Sequence, residues 1–247
     1  MPCTHHDGVD IYYEVYGAGP PLVLLHGFAA QSAQWKAYGY VGALQRSHQV
    51  ILIDARGHGK SAKPHVRSAY LLERRLADVV AVLDELGIGR AHFCGYSMGG
   101  WLAFGMAFHY PQRVASLIVG GAHPYEERFD AFDDVDGGDA AAFIAALERF
   151  IGERIPSQAR TYILHNDLAA LCAAANDRAS FAPCLHALSV PLLLFVGDRD
   201  QRLALVRRVA DVIAGARLVV LPGQNHASAL AARAALMPHI EAFLQTA

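Results

Sequence analysis

The sequence predicts an α/β protein: a doubly wound, mostly parallel sheet with an inserted helical cap. Three observations predict it. Short, continuous apolar runs alternate with stretches of helical periodicity along most of the chain. The alternation stops once, between residues 122 and 189, and then resumes. The chain has 247 residues, 53% of them hydrophobic and 18% charged, enough to bury the core that such a sheet needs. Residues 1–121 and 190–247 are therefore assigned to the sheet core, and 122–189 to the cap.

Residues 9–16 alternate apolar and polar, as a half-buried strand does, and Gly17-Ala18-Gly19-Pro20-Pro21 turns the chain. Residues 22–25 are a continuous apolar run, the mark of a strand covered on both faces, and lead into His26-Gly27-Phe28. A helix over 32–44 and a strand over 50–53 follow, then the glycine-rich loop Asp54-Ala55-Arg56-Gly57-His58-Gly59-Lys60-Ser61. Residues 71–86 place Leu76, Val79, Val80 and Leu83 on one helical face, with Gly87 closing the helix. A strand over 91–94 and a helix over 101–108 flank Gly95-Tyr96-Ser97-Met98-Gly99-Gly100. A strand over 114–119 precedes the interruption, in which 140–150 and 158–175 read as helices. The alternation returns with a strand at 190–196, a helix at 203–213, a strand at 217–221 and a helix at 228–244.

Composition narrows the function classes. Net charge is −2 with acids and bases interspersed, which argues against nucleic acid as a main partner. No apolar run approaches the ~20 residues of a membrane span, and the first residues lack a secretory apolar segment. The four cysteines show no paired spacing and read as free thiols, so a cytoplasmic location is expected. The thirteen histidines fit no zinc spacing, so neither a metal nor another cofactor is expected. The partner expected is a small-molecule, ester-type substrate.

The chemistry centres on Gly95-x-Ser97-x-Gly99. A strand turning sharply into a helix strains the residue at the turn and exposes its side chain, and flanking glycines permit the close backbone approach. Ser97 then stands at a helix N-terminus, where N–H groups favour developing negative charge. A serine hydroxyl needs a base within hydrogen-bond reach. His226, in the loop after the last strand, lies on the same edge of a parallel sheet as Ser97. Asp198 and Asp200, after the strand at 190–196, are both placed to orient that imidazole. Backbone N–H groups of Phe28 and Met98 are the candidate oxyanion donors. Trp35, Tyr96, Tyr125, Phe143 and Phe181 are candidates for lining an acyl pocket. Residues 126–139 carry seven acids and only Arg128 as a base, which reads as a solvated stretch and disfavours a strongly anionic substrate.

In these motifs the chain resembles the α/β-hydrolase superfamily over nearly its whole length. His26-Gly27-Phe28, Asp54-x-Arg56-Gly57-His58-Gly59-x-Ser61, the elbow at Ser97, Gly197-x-x-Asp200 and His226 carry the resemblance in order; Asn225 stands where the family often has glycine. The resemblance favours Asp200 over Asp198 and implies Ser97, Asp200 and His226 as a triad with no cofactor. A serine rather than an aspartate at 97 argues against haloalkane dehalogenase or epoxide hydrolase chemistry. It implies hydrolysis of a small to medium ester or lactone. Carbon–carbon bond hydrolysis or perhydrolysis on the same residues, or a ligand receptor that retains the triad, are the alternatives.

Overall fold

Residues 2–247 are described by a computed structural model. Eight strands form one sheet. In spatial order they are β1 (Cys3–His6), β2 (Val9–Tyr16), β4 (Gln49–Ile53), β3 (Pro21–Leu25), β5 (Ala91–Tyr96), β6 (Val114–Gly120), β7 (Leu192–Gly197) and β8 (Arg217–Leu221). β2 is antiparallel to both its neighbours, and every pairing from β4 to β8 is parallel.

Helices cover both faces, because side chains on a strand alternate between them. Val23 and Leu25 of β3 pack on one side with Leu76 and Val79 of α3 (Leu72–Glu85), Phe104 of α4 (Met98–His109) and Val206 of α8 (Leu203–Val212). Leu22 and Leu24 face the other way. They meet Trp35 of α1 (Ala33–Ala37), Tyr40 of α2 (Tyr40–Leu44) and Leu236 and Ile240 of α9 (Arg233–Leu244). α4 is buried at every position from Met98 to Ala107, the pattern of a helix enclosed on all sides.

Between β6 and β7 the chain contributes no strand to the sheet. It forms α5 (Ala140–Ile151), α6 (Ser157–Leu164) and α7 (Leu168–Ala174) around Phe132, Phe143, Leu147 and Leu171. One isolated antiparallel bridge ties the two ends of this segment, Glu127 pairing with Arg178.

Two expected helices divide, and one strand is additional. The helix expected over 32–44 is two short helices, because Gly39 takes a left-handed φ of 78° between them. The helix expected over 158–175 also breaks, with Asp167 starting α7 by accepting the Ala170 N–H. β1 was not expected. It pairs with β2 across Asp7-Gly8, both at positive φ, the conformation of a tight hairpin turn.

Candidate active site

The sheet brings three parallel strand ends to one edge, and each delivers one of the side chains expected to form the triad. β5 runs into α4 through Ser97, whose φ of 52° and ψ of −113° lie outside the regions L-residues favour. Such a conformation costs on the order of 1–3 kcal/mol and persists only where packing enforces it. Here the enforcement is visible. A Cβ on Gly95 would stand 2.2 Å from the Gly99 carbonyl oxygen, and one on Gly99 would stand 2.1 Å from that of Leu25. Only glycine lets β3, β5 and α4 approach so closely. The Ser97 N–H also donates to Gly120 O at 2.8 Å, tying the turn to β6.

The loop after β8 carries His226, whose Nε2 lies 3.1 Å from Ser97 Oγ. Its Nδ1 lies 2.7 Å from Asp200 Oδ2, on the loop after β7. An Nδ1–H donating to the carboxylate leaves Nε2 as acceptor for the serine hydroxyl. Burial opposes ionisation of Asp200, but the hydrogen bond and charge of His226 outweigh it, and its pKa falls below the usual carboxylate value. Its other oxygen, Oδ1, accepts the Arg202 N–H at 2.9 Å. Asp198 points elsewhere, its Oδ1 accepting the Gly223 N–H at 2.8 Å. Tyr96 packs at a tilt against His226 with ring centroids 5.4 Å apart, and its hydroxyl donates to the His226 carbonyl. Burial pushes the Tyr96 pKa far up, so this donor keeps its proton.

The loop after β3 lies against Ser97: a Cβ on Gly27 would be 3.6 Å from Ser97 Cβ. A tight turn, with Ala29 at φ 56° and Ala30 N–H donating to Gly27 O, fixes Phe28 in it. His26 braces that loop from behind. Its Nδ1 bonds Gly27 O at 2.8 Å and its Nε2 accepts the Ala55 N–H at 3.0 Å, which assigns the proton to Nδ1. Asp54 links the same two loops, accepting N–H groups from Ser32 and Lys60.

Above Ser97 lies a cavity of about 190 Å³. Phe28, Ala29 and Ala30 form one wall, and Gln34 and Tyr38 another. Leu147, Phe150 and Ile151 of α5 and Pro156, Tyr162 and Ile163 at α6 form the roof. Apart from His226 and three tyrosines, no lining residue is ionisable, so the space is apolar and uncharged.

Of the five aromatics expected to line the pocket, Tyr96 does. Trp35, Tyr125, Phe143 and Phe181 do not, and the reason is packing. Trp35 is fully buried edge-on against Tyr40, beneath the sheet. Phe143 is fully buried against Phe132, a turn nearer the start of α5 than the residues that reach the cavity. Phe181 stacks on Phe108 of α4, and Tyr125 lies beneath the Arg208 guanidinium. The residues that do line the roof were missed because aromatic type was used as the guide. Spacing offers only a partial signal: Phe143, Leu147, Phe150 and Ile151 share one face of α5, and only the last three reach the cavity. The acids of the stretch 126–139 are exposed except Glu127, which is drawn in between Arg178 and Arg202. Among the described residues, no three His, Cys, Asp or Glu side chains stand close enough together to hold a metal ion.

Comparison with known proteins agrees with this architecture. A family model described as alpha/beta hydrolase fold matches residues 20–172. The 3-oxoadipate enol-lactonase 2 of Acinetobacter baylyi is 30% identical over 220 residues, covering 82% of this chain and 79% of that protein. The crystal structure of the enol-lactonase from Burkholderia xenovorans LB400 superposes with a TM-score of 0.84 at 26% identity, covering 99% of this chain and 100% of that one. Some matches are partial: a RutD protein of Azorhizobium caulinodans is 37% identical over 120 residues, which is 48% of this chain and 43% of that protein.

Proposed function

This chain belongs to the α/β-hydrolase fold family, and from that membership we propose that it is a serine hydrolase cleaving an uncharged, apolar ester or lactone through an acyl-enzyme on Ser97. The observation that carries this reading is the continuous path Asp200–His226–Ser97, with contacts of 2.7 and 3.1 Å, ending under an uncharged apolar cavity.

His226 Nε2 takes the hydroxyl proton as Ser97 Oγ attacks the acyl carbonyl. The negative charge forming on the carbonyl oxygen is held by the N–H groups of Phe28 and Met98, a contribution of about 3 kcal/mol per donor. Asp200 steadies the imidazolium, which then protonates the leaving alkoxide and releases the alcohol. A water molecule gives its proton to His226 Nε2 and its hydroxide to the acyl carbon. Collapse of that second intermediate returns the proton to Ser97 Oγ and frees the acid. Every proton moves through one imidazole nitrogen, so no cofactor enters the scheme.

The cavity supports a limit on the substrate. An apolar cavity of about 150 Å³ accommodates benzene, so the 190 Å³ here suits an acyl group of about six to eight carbons. Nothing in the lining would pair with a second carboxylate. The test uses p-nitrophenyl esters graded from acetate to dodecanoate, together with a monoester of a dicarboxylic acid. The expected result is a kcat/KM optimum at medium length, with the carboxylate-bearing ester worse by about a hundredfold, the penalty of an unpaired buried charge. Ligand binding without steady-state turnover, or no covalent labelling by a fluorophosphonate, would overturn the reading.

A further inference from the structure

Behind Asp200 lies a buried knot of charge that the reaction scheme does not use. Arg202 Nε donates to Glu127 Oε1 at 2.9 Å, and its Nη2 stands 2.6 Å from the same oxygen. Its Nη1 stands 3.9 Å from Asp200 Oδ1. The other oxygen of Glu127 is bonded to Arg178 Nη1, and the backbones of Glu127 and Arg178 pair reciprocally. Arg178 in turn lies over the rings of Trp101, Phe129 and Phe150. Both guanidiniums are at most 5% exposed, so water screens these charges weakly.

We propose that Glu127, carried by the segment between β6 and β7, is a positioning residue for Asp200: through Arg202 it balances the charge around the Asp200–His226 pair and so sets the pH at which His226 becomes a base. The arrangement carries two positive charges, on Arg178 and Arg202, and two negative ones, on Glu127 and Asp200. It is neutral only when both carboxylates are ionised. Burial disfavours the Glu127 carboxylate, but the two guanidiniums outweigh it and hold its pKa below the usual value. Burial pushes Arg178 down to about 10, which leaves it charged at neutral pH.

A further buried cation, Arg75, stands on the far side of Arg178 and donates to Met98 Sδ at 2.6 Å. Tyr96 keeps its proton, and burial holds His123, beside Glu127, below the ordinary histidine pKa. Glu153 reaches the loop from the solvent side, accepting the Ala227 N–H at 2.8 Å. None of these neutralises Arg202, so that task falls to Glu127. Two of the four charges belong to the segment that roofs the cavity, which makes the proton affinity of His226 depend on how that roof is seated.

The proposal rests on the reading of Ser97, Asp200 and His226 given above, but its test does not require turnover. His226 is titrated by NMR of its imidazole nitrogens in the full chain, and where the enzyme turns over an ester the acid limb of kcat/KM is followed as well. Glu127→Gln leaves an excess positive charge and should move the titration to lower pH. Arg178→Gln leaves an excess negative charge and should move it to higher pH. At an effective dielectric of roughly 20 to 40, a unit charge about 10 Å away shifts a titration by about half to one pH unit. Glu127→Asp, which keeps the charge, should restore most of the wild-type value. The double variant Glu127→Gln/Arg178→Gln removes one charge of each sign and should also titrate near wild type, a control that holds even where one single variant folds poorly. Opposite shifts with rescue support the proposal. Shifts of the same sign, or an unmoved titration accompanied by a lower Tm, would make the knot a tether only and overturn it.

Discussion

Asp198 and Asp200 stand two residues apart on one loop, yet only Asp200 reaches an imidazole. Asp200 Oδ2 is 2.7 Å from His226 Nδ1, whereas Asp198 accepts a backbone N–H from Gly223 at the start of the neighbouring loop. Asp200→Asn should lower kcat by roughly 10⁴, because an amide can stabilise the wrong imidazole tautomer. Asp198→Asn should act on stability, by about 1–2 kcal/mol for one weakened hydrogen bond. Measuring kcat and Tm for both separates the two roles, and an inactive Asp198→Asn beside a near-wild-type Asp200→Asn would invert the assignment. Ser97→Ala should abolish fluorophosphonate labelling and lower kcat by about 10⁶, while keeping the fold, since alanine retains the Cβ and with it the geometry of the turn. Labelling that survives on another serine would remove Ser97 from the scheme. The elbow was legible in the sequence because its glycines are a steric requirement and glycine is a letter one can read. Glu127 was not legible, since seven acids in a row of fourteen residues look alike until the fold draws one of them inward.

Among the elements, the helices between β6 and β7 divide their residues between two tasks. Along one face, α5 packs Phe143 against Phe132 near its start and presents Leu147, Phe150 and Ile151 to the cavity further on. Ile151→Ala should therefore enlarge the acyl space and move the chain-length optimum upward by about one or two carbons, with a modest loss of Tm. Phe143→Ala should leave the preferred chain length in place and cost about 3–5 kcal/mol, the price of a large core cavity. A chain-length profile that shifts in Phe143→Ala and not in Ile151→Ala would mean that the first turns of α5, not its last, bound the acyl space. The sequence marked α5 as a helix through its periodicity but not which turn of its apolar stripe meets the cavity, because core packing and cavity lining call for the same apolar side chains. The elements themselves were legible wherever apolar runs were short and bounded. They blurred at Gly39, where a single left-handed residue divides one amphipathic pattern into α1 and α2. β1 escaped because Cys3-Thr4-His5-His6 has little apolar content, although Asp7-Gly8 is itself a strong hairpin signal.

At the scale of the whole molecule, the loops that build the site are cross-braced by buried histidines, and this couples stability to pH. His58 is fully buried, its ring centroid 5.1 Å from that of His26, and its Nδ1 bonds Arg56 O at 3.0 Å. Burial, followed by the neighbouring His26, drives its pKa well below the ordinary value, and burial does the same more mildly for His26, His48 and His92. The sign follows from which state takes up the proton. Above about pH 6.5 these imidazoles are neutral in both the folded and the unfolded chain and contribute no pH dependence. As the pH falls below about 6.5 the unfolded chain binds protons that the folded chain refuses, so stability falls, at a slope approaching about 1.4 kcal/mol per pH unit for the fully buried His58. Asp200 and Glu127, whose pKa values are lowered, add their own losses only in the carboxylate range near pH 4 and below. Tm should therefore fall between pH 7.5 and 5.5, before any carboxylate titrates. His58→Asn should be less stable than wild type at pH 7.5, having lost ring packing against His26 and Phe28, yet its Tm should decline less steeply over the same interval because one proton-refusing group is gone. Thermal unfolding of both proteins at half-unit steps decides the matter: parallel curves would place the acid sensitivity elsewhere than at the brace between the loops after β3 and β4.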